Sequence, residues 1–252
     1  MSDPVTQDPV TQDPVTQDPA SRDLSTHDLV EDLARSLTPV RRLPGPGRRT
    51  LVWSGAVLTV GLLLVPMSDV SGLRARLGVP DLHWAALGAI LTAIAAALAA
   101  FQSSVPGRSA AWSWLPLPPL VLWLGASGLG CLRGWLAPAA NLAEPEEMRG
   151  CFVFLMGVSL PLSVLLVLML RRACPLRPNL TAALGGLAAA AAAAALLVPF
   201  HPHDATATDL LVHLVAVLIV VGLNSLFGGR LLDRNAGPRG RPVTGSIRKA
   251  ND

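Results

Sequence analysis

From Leu51 onward the chain alternates between long apolar runs and short polar breaks, and the runs set the architecture. Six of them read as membrane spans: Leu51–Met67, Leu82–Gln102, Trp112–Gly130, Cys151–Leu170, Leu180–Val198 and Asp209–Phe227. Each is close to the roughly 20 residues a helix needs to cross a hydrocarbon layer about 30 Å thick. Backbone groups there find no water, so the runs are predicted as helices that satisfy their own hydrogen bonds. Pro116, Pro118 and Pro119 crowd the start of the third run and make it the span expected to be short or broken. The fifth run holds Gly185, Gly186 and the eight alanines Ala188–Ala195, small residues that let neighbouring helices approach closely in lipid. Trp53, Trp84, Trp112, Trp114 and Trp135 fall near run ends, at the headgroup level that indoles favour.

The pattern upstream is different. Residues 3–17 read Asp-Pro-Val-Thr-Gln three times, followed by Asp18-Pro19. A proline every fifth residue forbids a continuous helix, and so polar a segment cannot bury a core. Residues 1–24 are therefore predicted as a disordered leader. Helical periodicity begins just after it. Leu29, Val30, Leu33 and Leu37 share one arc of a helix, while Asp28, Glu31, Asp32 and Arg35 occupy the rest. Ser25, three residues before Asp28, opens it in the manner of a capping box, and Pro39 closes it. Arg41, Arg42, Arg48 and Arg49, interrupted by Pro44-Gly45-Pro46-Gly47, read as a basic, kinked linker. The expected organisation is a leader (1–24), a cytoplasmic amphipathic helix with its linker (25–50), a six-helix transmembrane bundle (51–228) and a basic tail (229–252). The fold class is an all-α membrane protein.

Charge adds the orientation. Only 15% of residues are charged, and their placement says more than the net +3. With the N-terminus inside, Arg22, Arg35, Arg41, Arg42, Arg48, Arg49, Arg108, Arg171, Arg172, Arg177, Arg230, Arg234, Arg239, Arg241, Arg248 and Lys249 lie on the cytoplasmic side. Arg74, Arg76, Arg133 and Arg149 lie opposite. This bias places both termini in the cytoplasm.

Chemistry is sparse. No P-loop, HExxH motif or Ser–His–Asp arrangement is present, so no enzyme is expected. The spans carry no acidic pair, and no Lys or Arg deep in a helix, which weakens the alternative of a small transporter or channel. Three cysteines, Cys131, Cys151 and Cys174, make no disulfide framework. One constellation stands out on the extracytoplasmic side: His83, Cys131, Cys151, His201, His203, Asp204, Asp209 and His213. Thiolate and imidazole suit soft or borderline metals. Cys151, His201 and His203 are candidate metal ligands, and Cys151, His201 and His213 are candidate signal-sensing residues. No resident cofactor is expected beyond such a sensed ion.

Several short stretches, in order, resemble the NrsF family of six-span membrane anti-sigma factors, which restrain extracytoplasmic-function sigma factors. They are Asp28-Leu29-Val30-Glu31-Asp32-Leu33 with Thr38-Pro39-Val40-Arg41-Arg42-Leu43, then Ala99-Ala100-Phe101 with Ser104-Val105-Pro106-Gly107. Cys151 with Ser159-Leu160-Pro161 follows, then Arg171-Arg172 through Pro175-Leu176-Arg177-Pro178, and finally His213 with Gly228-Gly229-Arg230. The resemblance implies that the N-terminal segment holds the sigma factor, with Leu29, Val30, Leu33, Leu37, Arg41 and Arg42 as partner-binding residues. It also implies that cysteines at the outer side sense heavy metals or oxidants, and Cys151 matches the first of these. Where a second cysteine is expected, this chain has Phe200-His201-Pro202-His203. The expected partners are a sigma factor and membrane lipid, with no nucleic acid; the oligomeric state stays open.

Overall fold

The computed structural model describes residues 27–28, 30–31, 33–35, 43–68, 73, 78, 80–136, 145–173, 175–200 and 207–234. The chain divides into two units, residues 1–42 and 43–252. In the second, helices run α1 Pro46–Leu64, α2 Pro80–Ser103, α3 Leu117–Leu136, α4 Pro145–Leu170, α5 Pro178–Leu197 and α6 Ala207–Leu223. A π-helical turn, Asn224–Gly228, joins α6 to the short α7, Gly229–Arg234. No strand occurs among the described residues. Six segments are long and apolar enough to cross a membrane, as the runs predict, and the protein is an all-α, multi-pass membrane protein.

Packing follows side-chain size. α5 lies at the centre, against α2, α4 and α6. Its alanines from Ala188 to Ala194 are all buried, which is possible because a methyl group lets three neighbours come close at once. α1 packs on α2 and α4, while α3 packs on α2 and α6. Large residues fill the space around the small ones: Leu155, Leu162, Leu166 and Leu170 of α4, Phe101 of α2 and Trp53 of α1 are buried. Where a helix turns apolar side chains outward, as with Leu58 and Leu62 of α1, lipid is the natural solvent. The ends of the bundle are called proximal, where the chain comes in at Leu43, and distal, where α2, α4 and α6 begin.

Several details depart from the sequence reading. α1 begins at Pro46, five residues before the run. A proline at the first helical position loses no hydrogen bond and arrives with a helical φ, so Pro46-Gly47 starts a helix instead of extending the linker. Arg48 and Arg49 therefore belong to α1 and not to the linker, and Arg49 is buried. Trp53 is also interior: its ring is 1% exposed and its Nε1–H donates to the Leu162 carbonyl at 3.3 Å. Trp84 and Trp114, by contrast, are exposed near helix ends. The third span opens as a 3₁₀ turn, Ala110–Trp114, capped by Ser109, and becomes α-helical only at Leu117. Pro118 and Pro119 then fall in the first turn, where their missing N–H groups cost nothing.

Candidate functional site

At the distal end α4 and α6 start side by side and bring two residues together that are 62 positions apart in sequence. Cys151 is 5% exposed, and its Sγ lies 3.9 Å from both ring nitrogens of the half-buried His213. The sulfur faces the imidazole without favouring either nitrogen. A tetrahedral ion holding sulfur at about 2.3 Å and nitrogen at about 2.0–2.1 Å sets the two ligands about 3.6 Å apart. The observed spacing needs to close by only about 0.3 Å, with a turn of the ring, for both to hold one soft ion. An apolar groove lined by Met148, Arg149, Phe152, Leu211, Val212 and Val215 runs beside the pair. Among the described residues no set of three His, Cys, Asp or Glu side chains converges. The pair thus fits an ion completed by solvent or further ligands, and does not fit a closed structural site. His201 and His203, the other candidate ligands, lie outside the described residues, as does Cys174. Cys131 of α3 is partly exposed and is not joined to Cys151. His83 meets the ring of Trp84 edge-on, 5.6 Å between centroids.

The proximal end carries a cluster that sequence reasoning missed. Arg49, in the first turn of α1, is 6% exposed. Its guanidinium donates to Ser104 Oγ at 3.3 Å, just past the end of α2, and to the Met169 carbonyl in the last turn of α4. Its Cζ lies 4.5 Å over the Phe101 ring. One sequence signal was available: Arg49 and Trp53 are four residues apart, hence on one face of α1, and both carry donors that need acceptors. The acceptors lie more than fifty residues away, and no local pattern names them.

In the N-terminal unit the described residues 27–28, 30–31 and 33–35 are helical. Glu31 pairs with Arg35 at 3.0 Å and lies 3.8 Å from His27, each four residues along a helix turn. Such exposed pairs support a helix only slightly. Val30 and Leu33 are 59% and 56% exposed. Of the other candidate partner-binding residues, Leu29, Leu37, Arg41 and Arg42 lie outside the described residues, together with the repeat leader and the basic tail.

A sequence model of the family described as NrsF, negative regulator of sigma F, matches residues 33–233. The chain belongs to the NrsF family. No curated protein and no solved structure matches it. The match takes in Leu33, all six spans, the Arg49 cluster and both members of the Cys151–His213 pair. NrsF proteins, by that description, are negative regulators of a sigma factor. A sigma factor is accordingly the partner class of this membrane protein, and its role is regulatory. The family match begins beyond the repeat leader, which lies outside the matched part altogether.

Proposed function

We propose that this NrsF-family protein is a membrane anti-sigma factor that holds an extracytoplasmic-function sigma factor through residues 25–42 and releases it when a metal ion or oxidant acts at Cys151. The observation that carries the first half is the pair Val30 and Leu33, large apolar side chains more than half exposed on a helical segment outside the spans. A short helix of this kind gains stability by laying its apolar face into a groove of a partner. Leu29 and Leu37 extend the stripe, and Arg41 and Arg42 meet acidic partner surface or inner-leaflet phosphates. Three acids on the polar face, Asp28, Glu31 and Asp32, suit a protein groove better than an anionic leaflet. The arginine bias supports a cytoplasmic N-terminus. The second half rests on the sulfur–imidazole contact of Cys151 and His213, with His201 and His203 as further ligand candidates. Thiol and imidazole together prefer soft ions, and a thiol is also the group a peroxide oxidises.

The test is co-purification of the full chain, from membranes, with each extracytoplasmic-function sigma factor of the same organism. Leu29→Glu with Leu33→Glu abolishes capture if the stripe docks; capture that survives both substitutions removes the docking model. Cys151→Ser leaves capture intact and blunts release by Cd²⁺ or hydrogen peroxide. An unchanged release removes Cys151 from the mechanism.

A further inference from the structure

Burying a guanidinium is unfavourable unless its donors are met and its charge is answered. No carboxylate does this for Arg49 in the contacts described above. Two helix ends do it instead. The last carbonyls of a helix have no partner within it, and the C-terminus carries partial negative charge. In α4 the Val167 carbonyl is taken by the Arg171 N–H and the Leu170 carbonyl by the Ala173 N–H, each at 2.9 Å. The Met169 carbonyl is met by Arg49. At the end of α2, Ser104 Oγ donates to the Phe101 carbonyl at 2.7 Å, which turns its lone pairs toward Arg49. Phe101, wholly buried, presents its ring face to the cation. One side chain of α1 thus closes the ends of both α2 and α4. Its neighbour Arg48 is exposed and makes none of these contacts.

Arg49 also sits at a junction. It follows the first residue of this unit, Leu43, by six positions, and the chain upstream of Leu43 is the segment read above as partner-binding. Met169 lies on the helix whose distal end bears Cys151. We infer that Arg49 is the positioning residue that couples the two: it locks the first turns of α1 to the proximal ends of α2 and α4, so that a displacement of α4 at Cys151 is transmitted to the root of the N-terminal segment. This inference rests on the proposed function for what the segment binds and what acts at Cys151; the lock itself does not depend on it. A planar, five-donor group is needed to bond two acceptors and stack on a ring together. Lysine supplies the charge but not the plane, and glutamine supplies a planar amide with two N–H donors but neither the charge nor the five-donor fork.

The experiment uses the full chain in lipid nanodiscs, with Cd²⁺ as the probe. Amide hydrogen exchange is followed over residues 50–56, and capture of the extracytoplasmic-function sigma factors of the same organism is measured on the same preparations. Arg49→Gln raises exchange at 50–56 by about tenfold or more while α5 stays protected, and Cd²⁺ adds nothing further. Arg49→Lys restores part of the protection and part of the Cd²⁺ response. Arg48→Gln behaves as the parent in both. Exchange and Cd²⁺ response unchanged in Arg49→Gln overturn the inference. Should Arg49→Gln unfold the whole bundle, Ser104→Ala decides: it removes one acceptor without touching the charge, and intermediate exchange at 50–56 supports the lock whereas parental exchange overturns it. A parent chain that captures no sigma factor defeats the proposed function, yet leaves the exchange comparison as a separate test of Arg49.

Discussion

Gly88 of α2 and Gly125 of α3 offer a clean measurement of how much of the bundle's stability comes from close helix approach. A Cβ built on Gly88 lies 2.7 Å from the Trp123 backbone nitrogen, 2.8 Å from its Cα and 3.0 Å from its Cβ. Two of these atoms are backbone and no side-chain rotation relieves them. Carbon contacts settle at about 3.5–4.0 Å, so Gly88→Ala must part α2 from α3 by roughly 0.7–1 Å. Overpacking of this kind costs about 1–3 kcal/mol. The same exchange at Gly125 meets nothing within 4 Å. Both substitutions replace glycine by alanine inside a helix, so the helix-propensity gain of about 0.8–1.0 kcal/mol cancels when the two are compared. Gly88→Ala is expected to be less stable than Gly125→Ala by about 1–3 kcal/mol. Reversible unfolding in mixed micelles by rising SDS, followed by far-ultraviolet circular dichroism, reads the difference directly. Coincident curves for the two variants would refute the close approach.

Four further substitutions probe the polar groups of the interior by the same unfolding assay. Trp53→Phe removes the indole donation to Leu162 and some buried volume, with an expected loss of about 1–3 kcal/mol; parental stability would mean that the bond is not made. Asn224 donates to Ser163 Oγ at 3.0 Å and to the Val220 carbonyl at 2.8 Å. Asn224→Ala should cost about 1–2 kcal/mol, and a double-mutant cycle with Ser163→Ala should return a coupling of about 0.6–1.7 kcal/mol. Thr181 is fully buried and its Oγ1 meets no partner among the described residues. Thr181→Val is therefore expected to be neutral or stabilising by up to about 1 kcal/mol, and a clear loss would reveal an acceptor for that hydroxyl.

The six spans were legible because lipid makes a single demand of every one of them, enough apolar residues in a row. The central place of α5 was also foreshadowed, since an alanine run has little else to offer than proximity. Local rules failed at the junctions. Pro44-Gly45-Pro46-Gly47 reads as a linker by composition, but Pro46 occupies the one helical position where proline is welcome. Arg49 reads as one more linker cation until α2 and α4 supply a ring, a hydroxyl and a carbonyl from 52, 55 and 120 residues downstream. Alternation of spans was enough to put Cys151 and His213 on one side of the membrane; their contact required the parallel packing of α4 and α6. The π turn at Asn224–Gly228 carries no sequence mark of its own. It packs against α5, with Gly228 beside Ala182 and, just after the turn, Gly229 beside Asn179.

α4 decides how a change at one end of this bundle reaches the other. Cys151 and Met169 are 18 residues apart on it, about 27 Å along the axis. Pro161 lies between them and removes one helical hydrogen bond, which by itself invites a bend that would absorb any displacement. Packing argues the other way. Cys151, Leu155, Ser159, Leu162, Ser163, Leu166, Val167 and Leu170 form one continuous buried face along the length of the helix, on both sides of the proline. Bending at Pro161 would lift half of that face from α5 and α6. The dispersion attraction forfeited by several side chains together outweighs the softness gained at a single missing bond. Close-packed interfaces also tend to move between discrete arrangements and resist gradual deformation. A ligand that pulls Cys151 toward His213 therefore acts on α4 as a whole, by a small slide or rotation. On the coupling proposed for Arg49, the Met169 carbonyl is the group at the far end that passes such a movement to the start of α1.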